Sequence, residues 1–215
     1  MNKTTLFTND SPEVVYLKSR DRRLAKVIEL VGEVEGREHN DPYTFLVHEI
    51  IEQMLSVKAG ARIYNRLENL CGGSICPEAI ESLADEEIRN AGMSTAKVEY
   101  IRILTNAVNT GALNFSRLED ETDATIIKEL TSLRGIGNWT AKMYLIFVLG
   151  RLDVLPYEDG AFLQTYRWMY KTDDISSASI KKKCKKWSPY ASVAARFMYR
   201  ALDMGLTKQE YHLFK

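Results

Sequence analysis

From residue 21 to residue 205 the apolar residues recur three and four positions apart, in about ten stretches divided by glycine, proline and N-capping residues. Nowhere do apolar and polar residues alternate for long enough to line one face of a strand. Residues 21–32 place Leu24, Val27, Ile28 and Val31 on one stripe, and Gly32 is a natural stop. Residues 41–56 open with Asp41 as N-cap and Pro42 in the first helical position. A third helix spans 56–73 and ends at Gly72-Gly73; two short ones fill 76–94, starting near Pro77-Glu78 and Asp85. Residues 94–111 form a strongly amphipathic helix closed by Gly111. Stretches 120–137, 138–149, 161–170, 175–187 and 190–205 complete the set. Short connections between so many short helices predict an all-α globule of packed helices, not a four-helix bundle.

The chain has 215 residues, 45% of them hydrophobic, enough for one domain or two closely packed lobes. Lys+Arg and Asp+Glu balance at 29 each, so bulk charge gives no pointer to a polyanionic partner. Charge is nevertheless uneven, with local basic runs at KSRDRR (18–23) and KKKCKKW (181–187). The second run reads first as a solvated helix face, with a contact to phosphates as the alternative. Cys71, Cys76 and Cys184 are too few for a disulfide framework, and with His39, His48 and His212 scattered they assemble no metal site. The N-terminus has no apolar signal core and no later run reaches 18 apolar residues, so a soluble, cytoplasmic protein is expected.

One stretch asks for more than packing. In LRGIGNWTAKMYLIFVLG (133–150) two helical segments are joined by a link too short for anything but a tight turn. Gly135 and Gly137 can adopt positive φ without steric cost, and they leave their peptide N–H groups bare. The next helix starts beside them, and its first-turn amides and dipole favour an anion. The result is a phosphate-sized cradle that needs no cationic side chain, although a plain αα-turn with a glycine C-cap has the same local pattern. PYEDGAF follows, with adjacent Glu158 and Asp159.

Helix, Leu-x-Gly-Ile-Gly, helix is the pattern of the helix–hairpin–helix, a binder of the DNA backbone. LRGIGNWTAKMYLIFVLGRLDVLPYED (133–159) resembles the signature of the helix–hairpin–helix (HhH-GPD) DNA glycosylases: hairpin, Gly/Pro-containing loop, following aspartate. It is most similar to the 3-methyladenine DNA glycosylase II branch. IIEQMLSVKAGARIY (50–64), AGMSTAKVEYI (91–101) and WSPYASVAARFMYRALD (187–203) are similar to the same branch, so the resemblance covers residues 20 to 205. It implies a two-lobed helical fold with a central cleft, built as one glycosylase unit over 1–215. One lobe, 56–150, would contain the hairpin; 1–55 together with 151–215 would form the other. The implied activity is monofunctional: hydrolysis of the N-glycosidic bond of alkylated purines in base excision repair, leaving an abasic site. The implied partner is double-stranded DNA with a damaged base, bound by a monomer with no membrane association. A non-catalytic helix–hairpin–helix DNA-binding module remains the alternative.

The resemblance also assigns roles. Asp159 matches the family's catalytic aspartate, which stabilises the oxocarbenium-like sugar and positions water. Its plain reading is an N-cap for the next helix, and Glu158 is the neighbouring candidate. Arg134, Gly135, Ile136, Gly137 and Thr140 form the backbone-binding hairpin. Trp139 and Trp187 match positions that line the base pocket, joined by Met143, Tyr157 and Tyr166, each of which is otherwise a core residue. Met54, after Gln53, matches the wedge that fills the gap left by an extruded base, with core packing as its alternative. Trp139 stands where the lyase branch has its lysine, and Lys142 is expected on the surface. The iron–sulfur branch needs clustered C-terminal cysteines, and only Cys184 is there. No cofactor is implied beyond a monovalent cation that hairpin carbonyls can hold. The chain departs from the family at Glu52, where many relatives have glycine, at Ala191, where many have arginine, and at Asp159-Gly160-Ala161, where many read Asp-Leu-Gly.

Overall fold

A computed structural model of the chain describes residues 4–37 and 39–213. The elements run β1 (Thr4–Phe7), α1 (Pro12–Arg20), α2 (Arg22–Val31), β2 (Val34–Arg37), α3 (Pro42–Glu52), α4 (Val57–Leu70), α5 (Pro77–Ser82), α6 (Asp85–Asn90) and α7 (Thr95–Asn109). They continue with α8 (Phe115–Glu119), α9 (Asp123–Thr131), α10 (Asn138–Phe147), α11 (Gly160–Tyr170), α12 (Ser177–Cys184), a 3-10 turn at Lys185–Trp187, α13 (Ala191–Asp203) and a second 3-10 turn at Leu206–Lys208. The helical class holds. The capping signals also hold where they are local: Asp41 accepts the Thr44 amide at 3.1 Å, and Gly32 and Gly111 leave their helices at φ 83° and 73°.

Two features differ from the sequence reading. β1 and β2 pair antiparallel, Thr4 opposite Arg37 and Phe7 opposite Val34, where no strand was expected. Four residues per strand are too few to display an alternation. The helices α1 and α8 were also not anticipated; α1 buries only Val14 and Leu17, too little to show a stripe.

The chain divides into two compact units, Met1–Glu38 with Leu145–Lys215 and His39–Tyr144. The boundaries therefore fall at 39 and 145, where the resemblance placed them at 56 and 151. The helix α3 packs on α4 and α7, and the Tyr43 hydroxyl meets Thr105 Oγ1 of α7 at 2.8 Å. In the discontinuous unit α13 is the central helix. Ala191, Ser192, Ala194, Ala195 and Ala201 are all buried on it, and such small side chains let α2 and α11 approach closely.

One carboxylate ties this unit together. Asp21 caps α2 by accepting the Arg23 and Leu24 amides at 3.0 and 3.3 Å. Its other oxygen accepts the Tyr170 hydroxyl, Trp187 Nε1 at 2.9 Å and Lys186 Nζ at 3.0 Å. Burial pushes the Asp21 carboxyl up, but the bonds from Tyr170, Lys186 and Trp187 outweigh it and hold the group below the usual aspartate range. Nearby, burial pushes the Cys184 thiol up to about 12, which makes it an inert core side chain.

A carboxyl depressed on folding contributes stability above its unfolded pKa and loses it as pH falls through the folded value. Replacing Asp21 with Asn should therefore lower Tm most at neutral pH. The gap to wild type should shrink as pH drops below about 4, followed by thermal unfolding across the pH series. Asp21→Ala, which strands the buried donors of Tyr170, Trp187 and Leu24, should cost at least about 2 kcal/mol.

Candidate active site

The hairpin lies between α9 and α10. Its turn is closed by the Ile136 amide donating to Leu133 O at 3.1 Å. Gly135 has φ +99°, and a Cβ there would fall 2.3 Å from Tyr100 Cγ, so both conformation and space demand glycine. Gly137 does not use that freedom: its φ is not left-handed, and a Cβ would meet nothing within 4 Å. It is exposed, and its carbonyl accepts the Ala141 amide at 3.0 Å, the first bond of α10. Amides in the turn before that bond have no carbonyl to reach within the helix, which is the geometry of an anion cradle. Ile136 and Thr140 are buried beneath the turn, while Arg134 is exposed, paired with Glu99 and lying over the Tyr100 ring at 5.8 Å. The carbonyls of Leu133, Gly135 and Gly137 accept N–H bonds from Ile136, Gln53 and Ala141.

The α3–α4 link carries Gln53 and Met54. Met54 is fully exposed at φ 59°, which excludes its reading as a core residue. Gln53 turns back instead, and its Nε2 donates to Gly135 O at 2.8 Å. The family-departing Glu52 folds onto α4: its Cγ lies 2.8 Å from where a Gly60 Cβ would be, and its Oε1 is 3.5 Å from His48 Nε2. Gly60 thus leaves the room that the Glu52 side chain occupies. A bond from Glu49 raises the His48 pKa against the opposing effect of burial, and Glu52 adds to the rise.

Asp159 is the N-cap of α11, its Oδ1 accepting the Phe162 amide at 2.7 Å, and it is 8% exposed. Glu158 beside it is exposed. The loop leading to Asp159 is laced to the start of α13. Ser192 N donates to Leu152 O at 2.9 Å, Val154 N to Ser192 Oγ at 2.9 Å, and Ala191 N to Asp153 Oδ1 at 3.2 Å. Ala191, at the family's arginine position, thus serves the loop through its amide. Tyr199 of α13 lies near Asp159: burial, then the Asp159 charge, pushes its phenol well above the usual range. A hydrogen-bonding contact with Asp159 adds to that rise. Asp153, Ser192 and Tyr199 carried no sequence signal, because each matters only through a residue far away in the chain.

Within the same unit Tyr166 and Trp187 are fully buried around Phe162, with ring centroids 6.2 Å away in both cases. Tyr157 is half-buried, with the Lys181 ammonium 4.2 Å from its ring centroid. Trp139 is half-buried and Met143 buried on α10. Lys142 corrects the expectation of a surface cation: it is only 8% exposed, because α10 is enclosed from Thr140 to Ile146. Among the described residues no group of His, Cys, Asp and Glu could hold a metal, and no helix is long and apolar enough to cross a membrane.

A glycine hairpin opening a buried helix, followed along the chain by a sheltered helix-capping aspartate, defines the helix–hairpin–helix glycosylase class. The HhH-GPD superfamily of base excision DNA repair proteins matches residues 47–189, and the chain belongs to that superfamily. The crystal structure of DNA-3-methyladenine glycosidase from Bacillus halodurans is similar, with a TM-score of 0.87 at 38% identity over 97% of each chain. The Schizosaccharomyces pombe 3-methyladenine DNA glycosylase, solved with abasic DNA, has a TM-score of 0.81 at 26% identity, covering 90% of this chain and 97% of that one. DNA-3-methyladenine glycosylase 1 of the same yeast is 27% identical over 208 residues, 92% of this chain and 90% of its own.

Gly135→Ala should destabilise the protein by about 2–3 kcal/mol through strain and overlap with Tyr100. Gly137→Ala should stay within about 0.5 kcal/mol of wild type. Urea unfolding of both variants checks the contrast.

Proposed function

We propose that the chain is a monofunctional DNA glycosylase that hydrolyses the N-glycosidic bond of alkylated purines of the 3-methyladenine type and leaves an abasic site. The observation that carries this reading is Asp159: a buried carboxylate held by the first turn of α11, at the family's spacing from the hairpin. Relatives named as 3-methyladenine glycosylases match nearly the whole chain, and one was solved with abasic DNA.

The hairpin amides grip a backbone phosphate, and Met54 enters the stack as the base is extruded. A purine alkylated at ring nitrogen is cationic, so the electrons of the breaking C1′–N bond neutralise it as it departs. Little acid catalysis is then needed. The sugar becomes oxocarbenium-like, and the Asp159 carboxylate stabilises that charge. Water adds to C1′ and loses its proton to the carboxylate or to solvent. Aromatic faces attract the cationic base beyond ordinary stacking, and Trp139 is the half-buried candidate for that contact. Trp139 also occupies the lyase lysine's position and Lys142 is buried, which supports water over an amine as nucleophile.

Single-turnover excision from methylated duplex DNA tests the reading. Asparagine caps a helix as well as aspartate does, so Asp159→Asn should fold normally yet lose at least about 10²-fold in rate. Equal rates for the two proteins would remove Asp159 from the chemistry. Tight duplex binding without excision by the wild type would leave a non-catalytic binding module.

A further inference from the structure

The link between α3 and α4 breaks two local rules at once. Gln53 lies at φ −48°, ψ 125° and Met54 at φ 59°, with the Leu55 amide donating to Glu52 O at 3.0 Å. This is a type II turn with methionine in the place that favours glycine. The same methionine is fully exposed, flanked by Leu55 and Val57 at 39% and 76% exposure. A strained, solvated apolar tip has no packing of its own to keep it in place.

What keeps it in place is α7. Lys97 Nζ donates to Ile51 O at 2.7 Å and to Gln53 O at 2.7 Å, the two carbonyls that bracket the start of the turn. The Ile51 carbonyl needs such a donor, because the Leu55 amide that would continue the helix bonds Glu52 O instead. The cation also sits at the negative end of the α3 dipole. The Gln53 side chain then crosses to Gly135 O at 2.8 Å. Two residues past Lys97, Glu99 pairs with Arg134, and Tyr100 fills the space against Gly135. One stretch of α7 therefore holds both the apolar tip and the hairpin.

We propose that Lys97 is a positioning residue for base extrusion: it locks the Met54 turn to the glycine hairpin, so that the tip and the phosphate grip act as one rigid tool. The proposal rests on the DNA-glycosylase reading above. Unstacking a base meets resistance, and a tip free to retreat would relax instead of intruding. Two charge-assisted bonds at the root of the turn prevent that retreat.

The test compares wild type with Lys97→Met, which keeps the apolar stem and removes the donors, and with Lys97→Arg, which keeps the charge. Single-turnover release of 7-methylguanine is measured from an intact duplex and from a duplex in which the lesion faces a one-nucleotide gap. In parallel, 2-aminopurine beside an abasic analogue reports unstacking on binding. Lys97→Met should lose roughly 10- to 100-fold on the intact duplex and far less on the gapped one. Its 2-aminopurine signal should brighten less at saturation, and Lys97→Arg should recover most of both effects. Equal losses on the two substrates with unchanged brightening would reduce Lys97 to a structural cap, and no loss anywhere would overturn the proposal. If the Met variant unfolds, Lys97→Gln, neutral but still a donor, is measured in the same way. If wild type releases no base from either duplex while its brightening still exceeds that of the variant, the glycosylase reading fails and the positioning role stands.

Discussion

A buried carboxylate at the seam of a discontinuous unit is the interaction on which the rest leans. The two pieces of that unit, Met1–Glu38 and Leu145–Lys215, are joined covalently only through the other unit. Asp21 closes the gap by capping α2 while accepting Tyr170 of α11, Trp187 and Lys186. The helix that Tyr170 ends is the helix that Asp159 begins. Burial and the Asp21 charge push the Tyr170 phenol far up, so it stays a donor at every working pH. An apolar residue at position 21 would leave these donors unmet in the core, where each is expensive.

Helix N-termini are used twice, with opposite intent. At α10 the first turn begins beside an exposed glycine, and under the proposed function its amides and dipole would meet a phosphate. At α11 the first turn is occupied by the protein's own carboxylate, Asp159, through the Phe162 amide. Backbone dipoles thus supply the positive field that a chain with 29 cations and 29 anions does not supply by net charge. The same economy explains why Glu52 can replace a glycine near the tip: it is folded onto α4 at Gly60, beside His48.

Local rules are broken at three positions. Met54 is apolar, exposed and left-handed at once; Lys142 is a lysine enclosed on α10; the Tyr199 hydroxyl is buried beside the Asp159 carboxylate. Local consistency is what a sequence selected for stability alone would keep. Under the proposed function, Met54 and Asp159 are the residues at which such departures would serve the reaction.

The sequence by itself determined whatever is settled within a few residues: helix starts such as Asp41 and Asp159, stops such as Gly32 and Gly111, and the turn that needs Gly135. Capping, dipoles and left-handed φ act over one helical turn, so their signals survive in one dimension. The order of hairpin, loop and aspartate was legible for the same reason. Tertiary structure decided everything carried by distant partners. Nothing near Trp187 announces that its indole N–H will meet Asp21, 166 positions away, and nothing near Lys97 announces Ile51 and Gln53. The β1–β2 ribbon was invisible because four-residue strands have no period to show. The enclosure of Lys142 was invisible because a helix read from one chain segment shows its polar face but not what covers it.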